Sequence, residues 1–217
     1  MMRVDFHVHS KYSIDTLTEP KAIAEKAARL GMVFACTDHD TIDGHAEFRK
    51  LKARFIPGEE VGTDAGDVIG LYVSESIPRK TPIGETMDLI HGQGGLVYLP
   101  HMFDRSRHGT GGHPDAAKAD VIEAFNAHCL QASFNEKAKE FAEKNNKPMA
   151  AGSDSHALWE FGTTYTEVPD FDIESPKELL KALGKSRIVG VRAPFYARGP
   201  GFVTKFFKKL AHRAKKK

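Results

Sequence analysis

Asp5-Phe6-His7-Val8-His9, near the start of the chain, closes a short apolar run that begins at Val4. The run reads as a buried strand whose end carries two imidazoles. Side chains alternate along a strand with period two, so His7 and His9 share a face, as two ligands of one ion require. The arrangement returns four more times. Apolar residues 33–36 run into Thr37-Asp38-His39-Asp40, residues 55–56 into Gly58-Glu59-Glu60, residues 96–99 into Pro100-His101, and residues 149–151 into Gly152-Ser153-Asp154-Ser155-His156. One set of strand ends is therefore decorated with residues able to hold a metal. In an α/β barrel the C-terminal strand ends open on a common mouth, so the five clusters are expected to converge.

Helix signals alternate with these strands, which argues for an α/β fold with parallel strands. Thr18 and Glu19-Pro20 open a helix that Gly31 stops. Asp43-Gly44 opens a second helix, Thr81-Pro82 a third, residues 132–144 form a fourth, and Ser175-Pro176-Lys177-Glu178 has the form of a capping box for a fifth. Between strands 54–61 and 68–73 there is no room for a helix, so strict alternation is expected to break there. At 217 residues the chain suits one barrel with a full core, expected over residues 1–195, followed by a basic tail, 196–217.

The two cysteines, Cys36 and Cys129, are too few for a disulfide framework. No apolar run has membrane-spanning length and no leader pattern is seen, so the expectation is a soluble, cytoplasmic protein. The net charge of +2 hides an asymmetry. Of 31 Lys and Arg, twelve follow Glu178, where no acid occurs, which leaves 29 acids against nineteen cations before it. In the tail, Phe202, Phe206, Phe207 and Leu210 fall on one helical face among lysines. Such a segment suits a final helix packed on the barrel, a nucleic-acid contact, or an anionic membrane or protein surface.

The carboxylates Asp15, Glu60 and Asp154 stand among the imidazoles His7, His9, His39, His101, His128 and His156. Mixed nitrogen and oxygen donors suit zinc, manganese or iron, whereas calcium wants oxygen alone and structural zinc usually recruits thiolates. Nine candidates exceed what one ion of about four to six ligands can use. Two or three divalent ions sharing a carboxylate fit better, and such centres serve hydrolysis of phosphate esters.

The order His-x-His, Thr-Asp-His-Asp, Pro-Gly-x-Glu, Pro-His, Glu-x-x-Asn and Gly-Ser-Asp-Ser-His resembles the PHP (polymerase and histidinol phosphatase) family over residues 3–192. The resemblance implies a distorted (β/α)7, TIM-like barrel and a two- or three-metal phosphoesterase centre. It further implies that His7, His9 and Asp154 hold one ion, that Glu60 bridges to a second held by His101 and His128, and that Asp15, His39 and His156 hold a third. Of the adjacent pair Glu59 and Glu60, the Pro-Gly-x-Glu frame selects Glu60. Glu60, Asp154 and His156 are then the expected catalytic core.

Asn126 and His128 are expected on one strand face, with Asn126 orienting the ligand or the substrate. The glycine-rich stretch 103–113 is expected as a loop at the mouth, from which Arg105 or, second, Arg107 could grip a phosphate bidentately. Asp38, Asp40 and Ser153 are expected to fix imidazole tautomers. His45 and His91 read as helix-surface residues, and His108 and His113 as solvated. The function expected is hydrolysis of a small phosphomonoester or nucleotide by a metal-activated water. The alternatives are a 5′–3′ exonuclease on short oligonucleotides, which the basic tail would favour, and a non-catalytic metal-binding interaction module.

Overall fold

The computed structural model describes residues 1–194 together with Ala197, Thr204 and Lys208. In chain order the elements are β1 Met2–Val8, α1 Pro20–Leu30, β2 Met32–Cys36, α2 Gly44–Lys50, β3 Phe55–Gly62, β4 Asp67–Leu71, α3 Ile83–Gly92, β5 Leu96–Leu99, β6 Val121–Asn126, α4 Ala132–Lys144, β7 Met149–Gly152, β8 Tyr165–Val168, α5 Pro176–Leu183 and β9 Arg187–Val189. The five expected helices are all present. Pro20 opens α1, where its missing N–H costs nothing, and Gly31 ends it at φ 61°, its amide bonded to the carbonyls of Ala27 and Ala28.

The described strands form one sheet in the order β7-β6-β5-β4-β3-β2-β1-β8-β9. β1, β2 and β3 pair in parallel, as do β5, β6 and β7, while β4 runs antiparallel to both its neighbours. That is the break in alternation expected between residues 61 and 68. A parallel bridge between Val8 and Ser155 brings the end of β7 back to β1, and His9 N donates to Ser155 O at 3.2 Å. The result is a nearly closed, distorted barrel of α/β type. β8 and β9 continue from the other side of β1 as an antiparallel ribbon, which brings the strand count to nine among the described residues.

The strands facing helices on one side and the barrel interior on the other are buried throughout, as β2, β5 and the inner part of β1 show. One apolar cluster fills the barrel with Val4, Phe6, Ile56, Ile69 and Tyr98, and Leu179 and Leu183 of α5 join it. Two others lie under the outer helices: one against α1 and α2 with Phe34, Phe48 and Ile23, one against α3 and α4 with Leu99, Ile90 and Ala138. The register of β1 shifts between Asp5 and Val8. Phe6 therefore packs inside while Val8 packs under α1, and His7 and His9 turn inward together.

Candidate metal centre

The Glu60 carboxylate sits inside a ring of four imidazoles. Its Oε2 lies 3.1 Å from His7 Nε2, 3.3 Å from His9 Nε2 and 3.2 Å from His39 Nδ1, and its Oε1 lies 3.1 Å from His101 Nε2. Glu59 points the other way, accepting from Ser76 Oγ and Ile77 N. Asp154 Oδ1 is 3.3 Å from His9 Nε2, 3.6 Å from His7 Nε2 and 3.5 Å from His156 Nδ1. Asp15 Oδ2 lies 3.1 Å from His39 Nε2 and 3.4 Å from His156 Nε2. Eight of the nine expected ligand residues thus join one contiguous cluster at the C-terminal strand ends. His101 and Asp154 occupy the left-handed backbone region, at φ 30° and 52°, a conformation that costs a non-glycine residue about 1–3 kcal/mol and persists where surrounding contacts over-determine it.

His128 departs from its expected place. β6 ends at Asn126, whose side-chain oxygen accepts from His128 N at 2.8 Å and turns the chain out of the strand. His128 therefore lies beyond the strand, on the His156 side of the cluster. Its Nε2 lies 2.9 Å from Glu160 Oε1, and its ring centroid is 6.0 Å from that of His156.

Asp38, Asp40 and Ser153 do not hold imidazoles. Asp38 accepts from the amide and hydroxyl of Ser10, Asp40 accepts from Gly62 N, and Ser153 Oγ reaches the His7 carbonyl. All three fix backbone. The imidazole partners are instead Glu123, whose Oε1 lies 3.1 Å from His7 Nδ1, and the Asp154 carbonyl, 2.8 Å from His156 Nδ1. His45 is buried rather than on a surface, its Nε2 2.8 Å from Gly58 O. His91 is half-exposed and pairs with Asp120 at 2.8 Å, His108 is exposed, and His113 accepts from Asp115 N.

Sequence reasoning passed over Asp67, which groups with Glu60 and His101; its signal was a lone acid after Gly66 at a strand start. It also gave Glu123 no role, although Glu123 opens the Glu-x-x-Asn motif. Glu160, which accepts from the amides of His156 and Ala157 at 2.8 Å, carried no pattern at all.

Arg107 reaches into the cluster and donates to Asp154 Oδ2, beside Asn126 Nδ2 at 3.0 Å. Arg105 is exposed and lines a cleft of about 410 Å³ with His39, Asp40, Asp67, Arg79 and Thr110. Residues 105–107 and 114–118 form short 3-10 turns, the first capped by Asp104, so the stretch expected as a glycine-rich loop is partly ordered.

Burial alone would push the His7 imidazole down, but Asp154, Glu60 and Glu123 hold it well above its ordinary value. His39, buried against Glu60 and Asp15, is raised to about 10. His9 goes the other way, to about 3, through burial and the neighbouring His156. Burial would raise the Glu60 and Asp154 carboxyls, yet His39 and His7 hold the first, and Arg107 and His7 the second, well below the usual range. The acids are therefore ready as anionic donors.

A divalent ion fits these residues. Both His9 nitrogens, His101 Nδ1 and Asp154 Oδ1 are buried without a hydrogen-bond partner, which buried polar atoms avoid. Ligand atoms of His7-His9-Glu60, His7-His101-Asp154, Glu60-Asp67-His101 and His9-His39-His156 lie within 4.8 Å of one another, and imidazole with carboxylate is a donor set for a transition metal.

The PHP domain model matches residues 5–150, and the PHP-associated model matches residues 132–188. The chain belongs to the PHP family. An uncharacterized protein of Methanocaldococcus jannaschii is 37% identical over 187 residues, spanning 82% of this chain and 75% of that one. A 3′,5′-nucleoside bisphosphate phosphatase of Chromobacterium violaceum is 35% identical over 86 residues, 36% of this chain and 30% of the phosphatase. In fold, the PHP barrel is similar to a two-domain protein of Bacteroides vulgatus, described as containing a predicted PHP-like metal-dependent phosphoesterase (TM-score 0.70, 20% identity, 94% of this chain and 69% of that one). It is also similar to an amidohydrolase of Chromobacterium violaceum with bound sulfate and no metal (TM-score 0.60, 18% identity, 86% and 97%). Among the described residues no helix is long and apolar enough to cross a membrane.

Proposed function

We propose that the protein hydrolyses small phosphomonoesters or nucleotides at a di- or trinuclear centre. The observation that carries this reading is the buried Glu60 carboxylate ringed by four imidazoles, with orphaned donor atoms on His9 and Asp154 beside it. In this reading His7, His9 and Asp154 hold one ion. Glu60, with His101 and Asp67, would hold a second, and Asp15, His39 and His156 would hold a third. His128, beside His156, is a further donor on that side. Zinc, manganese and iron suit the mixed donors. Bound there, such ions supply an acidified water and neutralise charge on the phosphoryl oxygens.

The protein's own groups orient that chemistry. Glu123 holds the His7 ring from behind, which fixes its tautomer. Asn126 holds the outer oxygen of Asp154. Arg107 presents its guanidinium beside Asp154, where a phosphoryl oxygen can be gripped bidentately, and Arg105 serves the cleft rim. Burial raises both thiols, Cys36 and Cys129, which disfavours their thiolates, and the metal-activated water needs neither. We read residues 1–195 as the catalytic unit. The bisphosphate phosphatase relative supports a nucleotide among the candidate substrates.

A panel of phosphomonoesters, phosphodiesters and 5′-phosphorylated oligonucleotides, assayed with and without chelator, tests the proposal. Chelator-sensitive turnover is expected with nucleoside monophosphates ahead of oligonucleotides. The reverse order would favour the exonuclease, and no turnover by the metal-replete protein would favour a binding module.

A further inference from the structure

The loop between β1 and α1 carries Asp15 to His39 and His156. Apolar packing does little to hold it, since Ile14 and Leu17 are 36% and 67% exposed. Its order comes from polar contacts. Lys11 N donates to Thr18 O at 2.8 Å and Ser13 N to Ser10 O at 2.9 Å. Ser13 Oγ donates to Asp15 Oδ1 at 2.8 Å, and Thr16 Oγ1 to the His156 carbonyl at 2.5 Å.

The carbonyls of Lys11, Ser13 and Thr16, on both sides of Asp15, converge on one point. The ammonium of Lys208 occupies it, Nζ donating at 2.7, 2.6 and 2.7 Å respectively. An ammonium has three protons to give, and three carbonyls take them. The donor comes from nearly 200 residues away in sequence, from the basic tail. A cation bonded to three carbonyls of one loop fixes the backbone from which the Asp15 carboxylate hangs.

We propose that Lys208 is a positioning residue for the metal position built from Asp15, His39 and His156, and that the tail thereby sets the occupancy of that position. The inference rests on the metal-centre reading above. Two effects of opposite sign compete in it. The ammonium's charge disfavours a further cation nearby, whereas an ordered Asp15 favours it; the proposal is that ordering prevails.

Full-length wild type, Lys208→Ala, Lys208→Met and Asp15→Asn are stripped by chelation and titrated with Mn²⁺ alone. Amide hydrogen exchange of residues 10–18 is followed in the metal-free proteins. Asp15→Asn identifies the binding step that belongs to this position. In both Lys208 variants that step should weaken by roughly ten- to hundredfold, the size typical of supports behind metal ligands, while the other steps hold. The loop amides should exchange faster even with no ion present. The methionine variant keeps the stem, so loss in both variants points to the ammonium rather than to packing. Unchanged or tighter binding at that step, or loop exchange unaltered, would overturn the proposal. If wild type binds fewer than two ions, the metal-centre reading fails, and the exchange data still decide whether Lys208 orders the loop.

Discussion

Glu60 poses the sharpest question at the scale of single residues, because burying a carboxylate among four imidazoles is expensive unless the charges are matched. The neighbouring acids Glu60, Asp154 and Asp15 raise His7 and His39 above their ordinary values, so without an ion protons on these rings are expected to do the matching. An ion must displace those protons, since imidazole binds metal in its neutral form. Uptake at neutral pH should therefore release protons, and affinity should rise as pH increases from 6 to 8; calorimetry in buffers of differing ionisation enthalpy measures this, and the absence of net release would contradict it. Arg107→Ala should raise KM for a phosphorylated substrate by roughly ten- to hundredfold, the worth of a charge-assisted hydrogen bond of about 1.5–3 kcal/mol, with metal content unchanged; a lost ion instead would mean that Arg107 serves Asp154 rather than substrate. Most of these side chains were legible in the sequence. His7, His9, His39, Glu60, His101 and Asp154 each follow an apolar run, so strand period and barrel polarity point them to one mouth. Asp67 and Glu160 were not, because a lone acid at a strand start or in a turn has no pattern until the fold supplies its neighbours.

At the scale of elements, two register shifts build the site. In β1 the shift lies between Asp5 and Val8, and in β6 between Glu123 and Phe125. The second lets Glu123 and Asn126, three positions apart, both reach Asp154 or His7, which strict alternation forbids. Period two did not extend to His128, because β6 ends at Asn126 and the chain turns there, and that turn gave no sequence signal strong enough to show it. β7 approaches β1 so closely that a Cβ on Gly152 would lie 2.3 Å from His7 Cβ and 2.4 Å from Glu123 Oε1. Gly152→Ala should accordingly cost about 1–3 kcal/mol of stability or more, as overpacking does, and should weaken metal binding by shifting His7. A thermal melt of the metal-free protein, compared with its ion titration, checks both parts. Wild-type stability and affinity would show that the strands can separate without cost.

At the scale of the whole molecule, parallel strands, covering helices and the break in alternation between β3 and β4 followed from hydrophobic patterning; the antiparallel direction of β4 and the ribbon of β8 and β9 did not, since strands of four and three residues carry too short a pattern. The expected apolar tail face of Phe202, Phe206, Phe207 and Leu210 lies outside the described residues; Lys208, within them, touches the Asp15 loop. An acid-rich barrel body is eased by bound cations, so binding should also stabilise the fold by mass action. The central claim is that the mouth of this barrel is a multinuclear metal centre. Elemental analysis of metal-replete protein, with hydrolysis assayed before and after chelation, tests it most directly. Two or three transition-metal ions per chain are predicted, with activity lost on chelation, restored on metal addition, and reduced at least about a hundredfold in Glu60→Gln, whose bridging charge exceeds in effect any outer support. Fewer than two ions per chain, or hydrolysis that survives chelation, would contradict it.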